Sequence, residues 1–487
     1  MMDKITIAWI ALSFFTGFGI YLFPKLSRWL ALGVALISFA YSYQVFLQPS
    51  AIDIQLLDSF GVNLMVDRLS GFFILTNAVV TAIVITYCWQ TGKSKFFYMQ
   101  AVILHGSVNA TFVCVDFISL YVALEVISVA AFSLITYSRS DKSIWVGLRY
   151  LFVSNTAMLF YLVGAILVYK ANNSFNFAGL MNAPMEGITL IFLGLLVKGG
   201  VFVSGLWLPL THSEAETPVS AMLSGVVVKA GVFPLVRCAI MLQEIEPIVR
   251  FLGVATAILG VTYAIWQKDT KRTLAFSTVS QLGFILAAPS VGGFYALTHG
   301  LAKSSLFLTA GNLPSRNFKE LATKKINTFY WLILVIGGLS ISGLPLLAGY
   351  AAKALTIENF LPWQAIVMNV SIVGTCIVYA KFIFLPHKLF DGFSLNSCNK
   401  NSGYWGACLI SIAGMIGGNY FYYSAYSLDK LIKSIVLIAI GWSIYRFFVR
   451  SLTIRLPQAT EKIDNLIGTM SLTLILLFAL LWGQIQY

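Results

Sequence analysis

LLVKGGVFVSG, residues 195–205, sets a lysine in the middle of an apolar run and follows it with two glycines. The run extends roughly from Gly187 to Leu208, with Lys198 near its centre. A hydrophobic run of about 18 or more residues reads as a membrane span. The stretch therefore places a charge and a helix break together at membrane depth. Similar runs lie near 5–22, 28–47, 69–90, 97–114, 117–137, 144–169 and 217–242, flanking the one at 187–208. Others follow near 248–266, 273–291, 293–313, 328–358, 362–386, 404–424, 430–450 and 467–484. These segments predict an all-α integral membrane protein with about 14–16 transmembrane helices. Composition agrees: of 487 residues 58% are hydrophobic and 10% charged, where a soluble chain carries about a quarter charged residues.

The net charge of +13 does not point to nucleic acid, because the basic residues sit in short loops between spans. Loops after odd-numbered spans carry Lys25/Arg28, Lys93/Lys95, Arg139/Lys142, Lys268/Lys271/Arg272, Arg316/Lys319/Lys324/Lys325 and Arg446/Arg450/Arg455. Loops after even-numbered spans are mostly neutral or acidic, as at Asp53, Asp58, Asp67, Asp116 and Glu358. The positive-inside rule then places both termini opposite the basic loops. Arg237 and Arg250, and Lys430 with Lys433, are exceptions. The N-terminal MMDKITIAWIALSFF lacks a basic n-region and a cleavage site, so the first span is expected to be retained. Six cysteines without CxxC spacing suggest neither a metal site nor a cluster. GxGxxG, GxxxxGK[ST] and HExxH are missing, so no cofactor is expected on this chain.

The informative residues are ionisable groups inside spans, each costing at least ~2.5–3.5 kcal/mol at the centre of a lipid-facing helix. Glu125 lies mid-way along the fifth span, Lys198 in the seventh and Lys229 in the eighth. His299 and Lys303, four apart, share one face of the eleventh. Lys353 follows Gly343, Pro345 and Gly349 in the twelfth. The competing reading for a lysine near a span end is snorkelling to the headgroups, and for His299 a bond across the bundle. Arg149, near the start of the sixth span, suits a loop anchor equally well. Low dielectric disfavours a charged ammonium and a nearby carboxylate favours it. A changing Glu125–Lys198 separation would therefore hold or release a proton, and Lys229, His299 and Lys303 would continue a relay. The breaks at Gly199-Gly200 and at Gly343–Gly349 leave backbone groups that only protein or a hydrated cavity can satisfy. Two interrupted spans five apart suggest two inverted five-helix repeats with broken seventh and twelfth helices, without evident sequence identity between them. The alternative is glycine serving tight helix packing.

The segment VKGGVFVSGLWLPLTHSEAETPVSAMLSGVVVKAGVF, 197–233, closely resembles the signature of antiporter-like subunits. That family spans the proton-pumping membrane subunits of respiratory complex I and the large subunits of Mrp multisubunit cation/proton antiporters. KDTKRTLAFSTVSQLGF (268–284), THGLAKSSLFLTAGNL (298–313) and LPLLAGYAAKAL (344–355) resemble it in the same order. The resemblance implies that Glu125 is the fifth-helix glutamate, Lys198 its broken-helix partner and Lys229 the eighth-helix relay lysine. It puts His299 on the central hydrophilic axis and makes Lys353 the terminal lysine of the second half-channel. Thr217-Pro218 is expected as N-cap and first helical residue. Val203 and Gly205 stand where members often have proline and histidine. Expected divisions are N-terminal helices over 1–95, a two-repeat translocating core over 96–390, and C-terminal helices over 391–487. No long amphipathic lateral helix is evident at the C-terminus.

The resemblance implies a proton-translocating subunit of a multisubunit complex, most like the D-type member of a sodium/proton antiporter. A lysine at 353 points away from the complex I subunit with glutamate there. The alternatives are a proton-pumping, non-redox membrane subunit of an NAD(P)H-quinone oxidoreductase and a non-conducting membrane scaffold. Partners would be other subunits, lipid, protons and sodium. The expected location is a bacterial plasma membrane or a thylakoid.

Overall fold

The computed structural model describes residues 2–57, 61–388, 402–452, 454 and 462–485. Asp58, Cys398 and Arg455, and part of the 391–487 segment, lie outside the described residues. Helices α1 (Met2–Leu22), α2 (Ser27–Leu47), α3 (Arg68–Cys88), α4 (Lys95–Thr111), α5 (Phe117–Ile135) and α6 (Asp141–Asn172) are the first six passes. The seventh is α7 (Met185–Gly199), a 3-10 turn (Phe202–Trp207) and α8 (Leu208–Glu214). The eighth is α9 (Thr217–Met222), a π turn (Leu223–Val227) and α10 (Val228–Met241). Then come α11 (Glu246–Trp266), α12 (Thr270–Ala287), α13 (Gly292–Ala310) and the short α14 (Phe318–Leu321). The twelfth pass is split into α15 (Thr328–Ser342) and α16 (Ala348–Glu358). The last passes are α17 (Pro362–Ile383), α18 (Ser402–Gly417), α19 (Leu428–Ile444) and α20 (Ile463–Ile485).

All sixteen expected segments are therefore mostly helical. Among the described residues 11 helices are long and apolar enough to cross a membrane, or 12 if α12 and α13, bent by 108°, form one span. The five cysteines that are described are buried and unpaired.

Loops alternate between two faces. On one, the antiparallel hairpin Ile52–Leu57/Gly61–Val66 meets the α4–α5 loop through Leu64 and Cys114. On the other, Lys93 pairs with Glu216, and Lys271 Nζ donates to the Ala215 carbonyl at 3.0 Å. Arg316 pairs with Asp269 at 2.9 Å and donates to the Ser213 carbonyl at 2.8 Å.

Arg237 and Arg250, which break the loop-charge rule, are buried structural ties rather than loop charges. Arg250 donates to the Ala287 and Asn359 carbonyls at 2.8 and 2.9 Å, joining α11 to the ends of α12 and α16. Arg237 grips Asp67, the N-cap of α3, at 2.5 and 2.8 Å, and Ser70 Oγ at 2.9 Å. Burial alone would push the Asp67 carboxyl up. Arg237 and the Ser70 hydrogen bonds outweigh it and hold the carboxyl below its ordinary value. A carboxylate with a depressed folded pKa stabilises fully above its unfolded pKa and loses that stability as pH falls through the folded one. Asp67→Ala should cost about 3–5 kcal/mol at neutral pH by stranding the buried guanidinium. Its deficit should shrink below about pH 4; a pH-independent deficit in thermal melts would reject this account.

The repeats are visible in one detail. Asp116 and Asp269 each cap a helix, α5 and α12, accepting from Ser119 N at 2.7 Å and Arg272 N at 2.9 Å. Each aspartate bridges an asparagine, Asn176 or Asn317, in an antiparallel backbone pair. Around those asparagines the sequence reads S-F-N-F (174–177) and S-R-N-F (315–318). Ser174 and Ser315 accept from the asparagine N–H at 3.2 and 3.1 Å. Asn176 and Asn317 in turn accept from Ala178 N and Lys319 N at 2.9 and 3.0 Å. A short identity between the halves thus exists after all. Asp116 lies on the hairpin face and Asp269 on the opposite one, because five passes, an odd number, separate them. The repeats are inverted.

Candidate functional site

Both breaks have the same construction. Gly200 and Gly343 take left-handed φ of 63° and 90°, which only glycine adopts without strain. The next residue's N–H reaches back to form the long closing bond, Val201 to Leu196 O and Leu344 to Leu339 O, each at 2.9 Å. This is the Schellman ending of a helix, used here inside a span. A non-glycine residue at positive φ follows, Phe202 at 52° and Leu346 at 76°.

Lys198 ends α7 with its side chain buried against α5. Its ammonium lies 3.8 Å from Glu125 Oε1. It donates to the Leu124 carbonyl at 3.0 Å and to Ser128 Oγ. Glu125 Oε1 has no hydrogen-bond partner among the described residues, so the two charges attract without being locked. At that distance the attraction is about 4 kcal/mol for an effective dielectric near 20. The Glu125 side chain is 27% exposed and that of Lys198 4%. Glu125 is thus part-exposed along its side chain, with Oε1 buried against Lys198, and the ammonium is buried. Ser128 also reaches Ser154 on α6 at 3.2 Å. Tyr150, Val153, Ser154, Val197 and Trp207 close round Lys198, leaving no room for water.

Lys229 is fully buried at the start of α10. The π turn before it frees carbonyls that an α-helix would use, and its ammonium donates to Ser224 O at 3.3 Å and to Gly225 O. Lys303 is fully buried, donates to Leu274 O at 2.8 Å and lies 5.7 Å from the Tyr379 ring centre. Lys229, His299 and Lys303 are close enough to feel one another's charge. Neither His299 ring nitrogen has a hydrogen-bond partner among the described residues. The ring lines a cavity with Gln281, Tyr295, Thr298, Ser340 and Gly349. Its space for a water centre is about 10 Å³, roughly one water position.

Lys353 lies on the far side of the second break, 5.5 Å from the Phe284 ring centre and without a hydrogen-bond partner among the described residues. The two break lysines therefore differ: Lys198 precedes its glycine turn, and Lys353 follows it. The six candidates fall into three groups: Glu125 with Lys198, Lys229 with His299 and Lys303, and Lys353 at the second break, whose Ser340 and Gly349 share the small cavity with His299.

His212 was missed by sequence reasoning. It is fully buried in α8, stacked on Phe307 at 4.7 Å, within charge reach of Lys271 and Lys303. Its signal is a histidine closing the apolar run LWLPLTH, residues 206–212. The Thr217 cap also needs correction. Glu216 occupies the N-cap position and Thr217 the first helical one, with the Glu216 carboxylate turned to Lys93. Gly205 has a structural reason. A Cβ there would lie 2.1 Å from the Gly200 carbonyl oxygen, so this turn excludes a histidine. Lys381 is buried but caps α11, donating to Ile265 O and Gln267 O at 3.2 and 2.5 Å.

A family model described as NADH:quinone oxidoreductase/Mrp antiporter, TM, matches residues 114–378. NAD(P)H-quinone oxidoreductase chain 4-2 of Synechocystis sp. is 28% identical over 421 residues, covering 77% of this chain and 75% of the relative. The D-type Na(+)/H(+) antiporter subunit of Alkalihalophilus pseudofirmus is 25% identical over 415 residues, covering 76% and 84%. In fold, the chain is similar to one in the Mrp complex from Dietzia sp. DQ12-45-1b, with a TM-score of 0.78 and 22% identity over 96% of this chain and 59% of that one. It is similar to another in the archaeal membrane-bound sulfane sulfur reductase, with a TM-score of 0.74 and 21% identity over 91% and 99%.

Proposed function

Because this chain belongs to the NADH:quinone oxidoreductase/Mrp antiporter transmembrane family, we propose that it is the proton-translocating subunit of a multisubunit, multi-pass membrane complex of the cation/proton antiporter type. The observation that carries this reading is the Glu125–Lys198 pair at a helix break, in ion contact without a hydrogen bond. Glu125, the part-exposed partner, takes up the proton. Once neutralised, Glu125 no longer favours the ammonium, so Lys198 releases its own proton inward towards Lys229, His299, Lys303 and Lys353 and is reloaded from the Glu125 carboxyl. Residues 96–390 form the translocating core, flanked by helices over 1–95 and 391–487. The family match, 114–378, lies inside that core. Other subunits supply the coupled cation path, which we take to be sodium, in a bacterial plasma membrane or a thylakoid.

A second reading is favoured by the relatives named NAD(P)H-quinone oxidoreductase chain 4: the same axis driven by quinone reduction in companion subunits. Purification of the native complex separates the two. Iron–sulfur companions would reject the antiporter reading, and small membrane subunits alone would reject the redox one. In vesicles, the antiporter reading expects collapse of an imposed pH gradient on adding sodium; a gradient indifferent to sodium would remove that ion from the proposal.

A further inference from the structure

At the first break, the strained Phe202 has its N–H bonded to Thr256 Oγ1 of α11 at 3.0 Å. At the second, the strained Leu346 has its N–H bonded to Tyr426 Oη at 3.0 Å. In the first case the hydroxyl comes from the helix that opens the next repeat. No third repeat follows the second, yet a hydroxyl is supplied from the segment leading into α19. Ser434, two turns further along, donates to the Gly343 carbonyl at 2.6 Å, and Lys430 between them pairs with Glu358 at the end of α16. Residues 426, 430 and 434 are spaced four apart; the first and last touch the break at Leu346 and Gly343, and the middle one touches the end of α16. Asn419 fixes the Tyr426 hydroxyl in turn, accepting from it at 3.0 Å.

A left-handed non-glycine residue costs of order 1–3 kcal/mol and persists only where its surroundings hold it. Exposed backbone N–H and C=O groups at membrane depth need protein partners. Gly343 also bounds Lys353: a Cβ there would sit 3.0 Å from Lys353 Cδ. Whatever fixes the Gly343 peptide therefore fixes the wall against which the lysine stem lies. We infer that Tyr426 and Ser434, assisted by Lys430, form a clasp that takes at the second break the place α11 takes at the first. They act as positioning residues for Lys353. The C-terminal helices are on this account part of the second half-channel.

The inference rests on Lys353 lying in the proton path, so the experiment carries that as a separate arm. Ser434→Ala, Ser434→Thr, Tyr426→Phe and Lys353→Ala are made in the full chain. Each assembled complex is reconstituted in vesicles and assayed for gradient-driven proton transport and thermal midpoint. Ser434→Ala and Tyr426→Phe are each expected to slow transport by up to about 10²-fold, the scale of a reacting group displaced by a distant change, with the thermal midpoint kept. Ser434→Thr, which retains the hydroxyl, should restore the rate. Wild-type rates in both clasp variants, or a loss that Ser434→Thr fails to restore, would overturn the clasp while a dead Lys353→Ala upholds the path. Full transport in Lys353→Ala would overturn the path itself.

Discussion

Lys198→Ala is expected to slow proton transport by about 10²-fold or more, the scale on which a positioned proton-transfer group acts, while the complex still assembles. The ammonium is the buried member of a pair whose other member, Glu125, is the part-exposed one. Its removal leaves Glu125 with no cation at 3.8 Å, and a water entering the vacated space would bring no positive charge. Glu125→Gln keeps the volume and removes the charge, so it should fall to a similar level. The double variant should be no worse than either single one, because groups acting as a unit are not additive. Initial rates of gradient-driven transport in vesicles read all three. Near-normal transport by Lys198→Ala would leave only the scaffold reading standing.

Gly231→Ala should be among the most damaging changes that alter no charge. A Cβ at 231 would lie 2.2 Å from Gly199 N and 2.7 Å from both Gly199 Cα and Lys198 C. Every one of those atoms is backbone, so no flexible side chain can yield, and α10 must separate from α7. Overpacking costs about 1–3 kcal/mol and occasionally more, and the upper end is expected here. The separation falls at Lys198, so transport should fail along with stability. Gly33→Ala is the matched control, since a Cβ there meets nothing within 4 Å. Thermal melts and transport of the two complexes decide it; equal behaviour would show that the α7–α10 approach is slack.

Loop charges located both faces of the molecule because a charged loop is costly to carry across a bilayer, and that cost is written in composition. The same rule misread Arg237 and Arg250. A buried arginine and a loop arginine look alike in sequence, and only their partners, Asp67 for one and the Ala287 and Asn359 carbonyls for the other, tell them apart. The six candidate residues were legible because a charge in an apolar run is expensive and therefore conspicuous. His212 was less visible, since a neutral histidine in a run already containing proline and threonine raises little contrast.

By itself the sequence determined a membrane bundle, the order of its passes, the two broken helices and the charges placed inside them. Each of these follows from transfer free energy or local backbone chemistry, which act residue by residue. Tertiary structure alone decided that Lys198 faces Glu125 at 3.8 Å without a hydrogen bond. It also decided that the break lysines lie on opposite sides of their glycine turns, and that the S-x-N-F segments close equivalent joints on opposite faces. It alone brought Tyr426 and Ser434 to the second break, some eighty and ninety residues along the chain. Those are pairings between distant segments, set by how helices seat against one another, and no local preference encodes them.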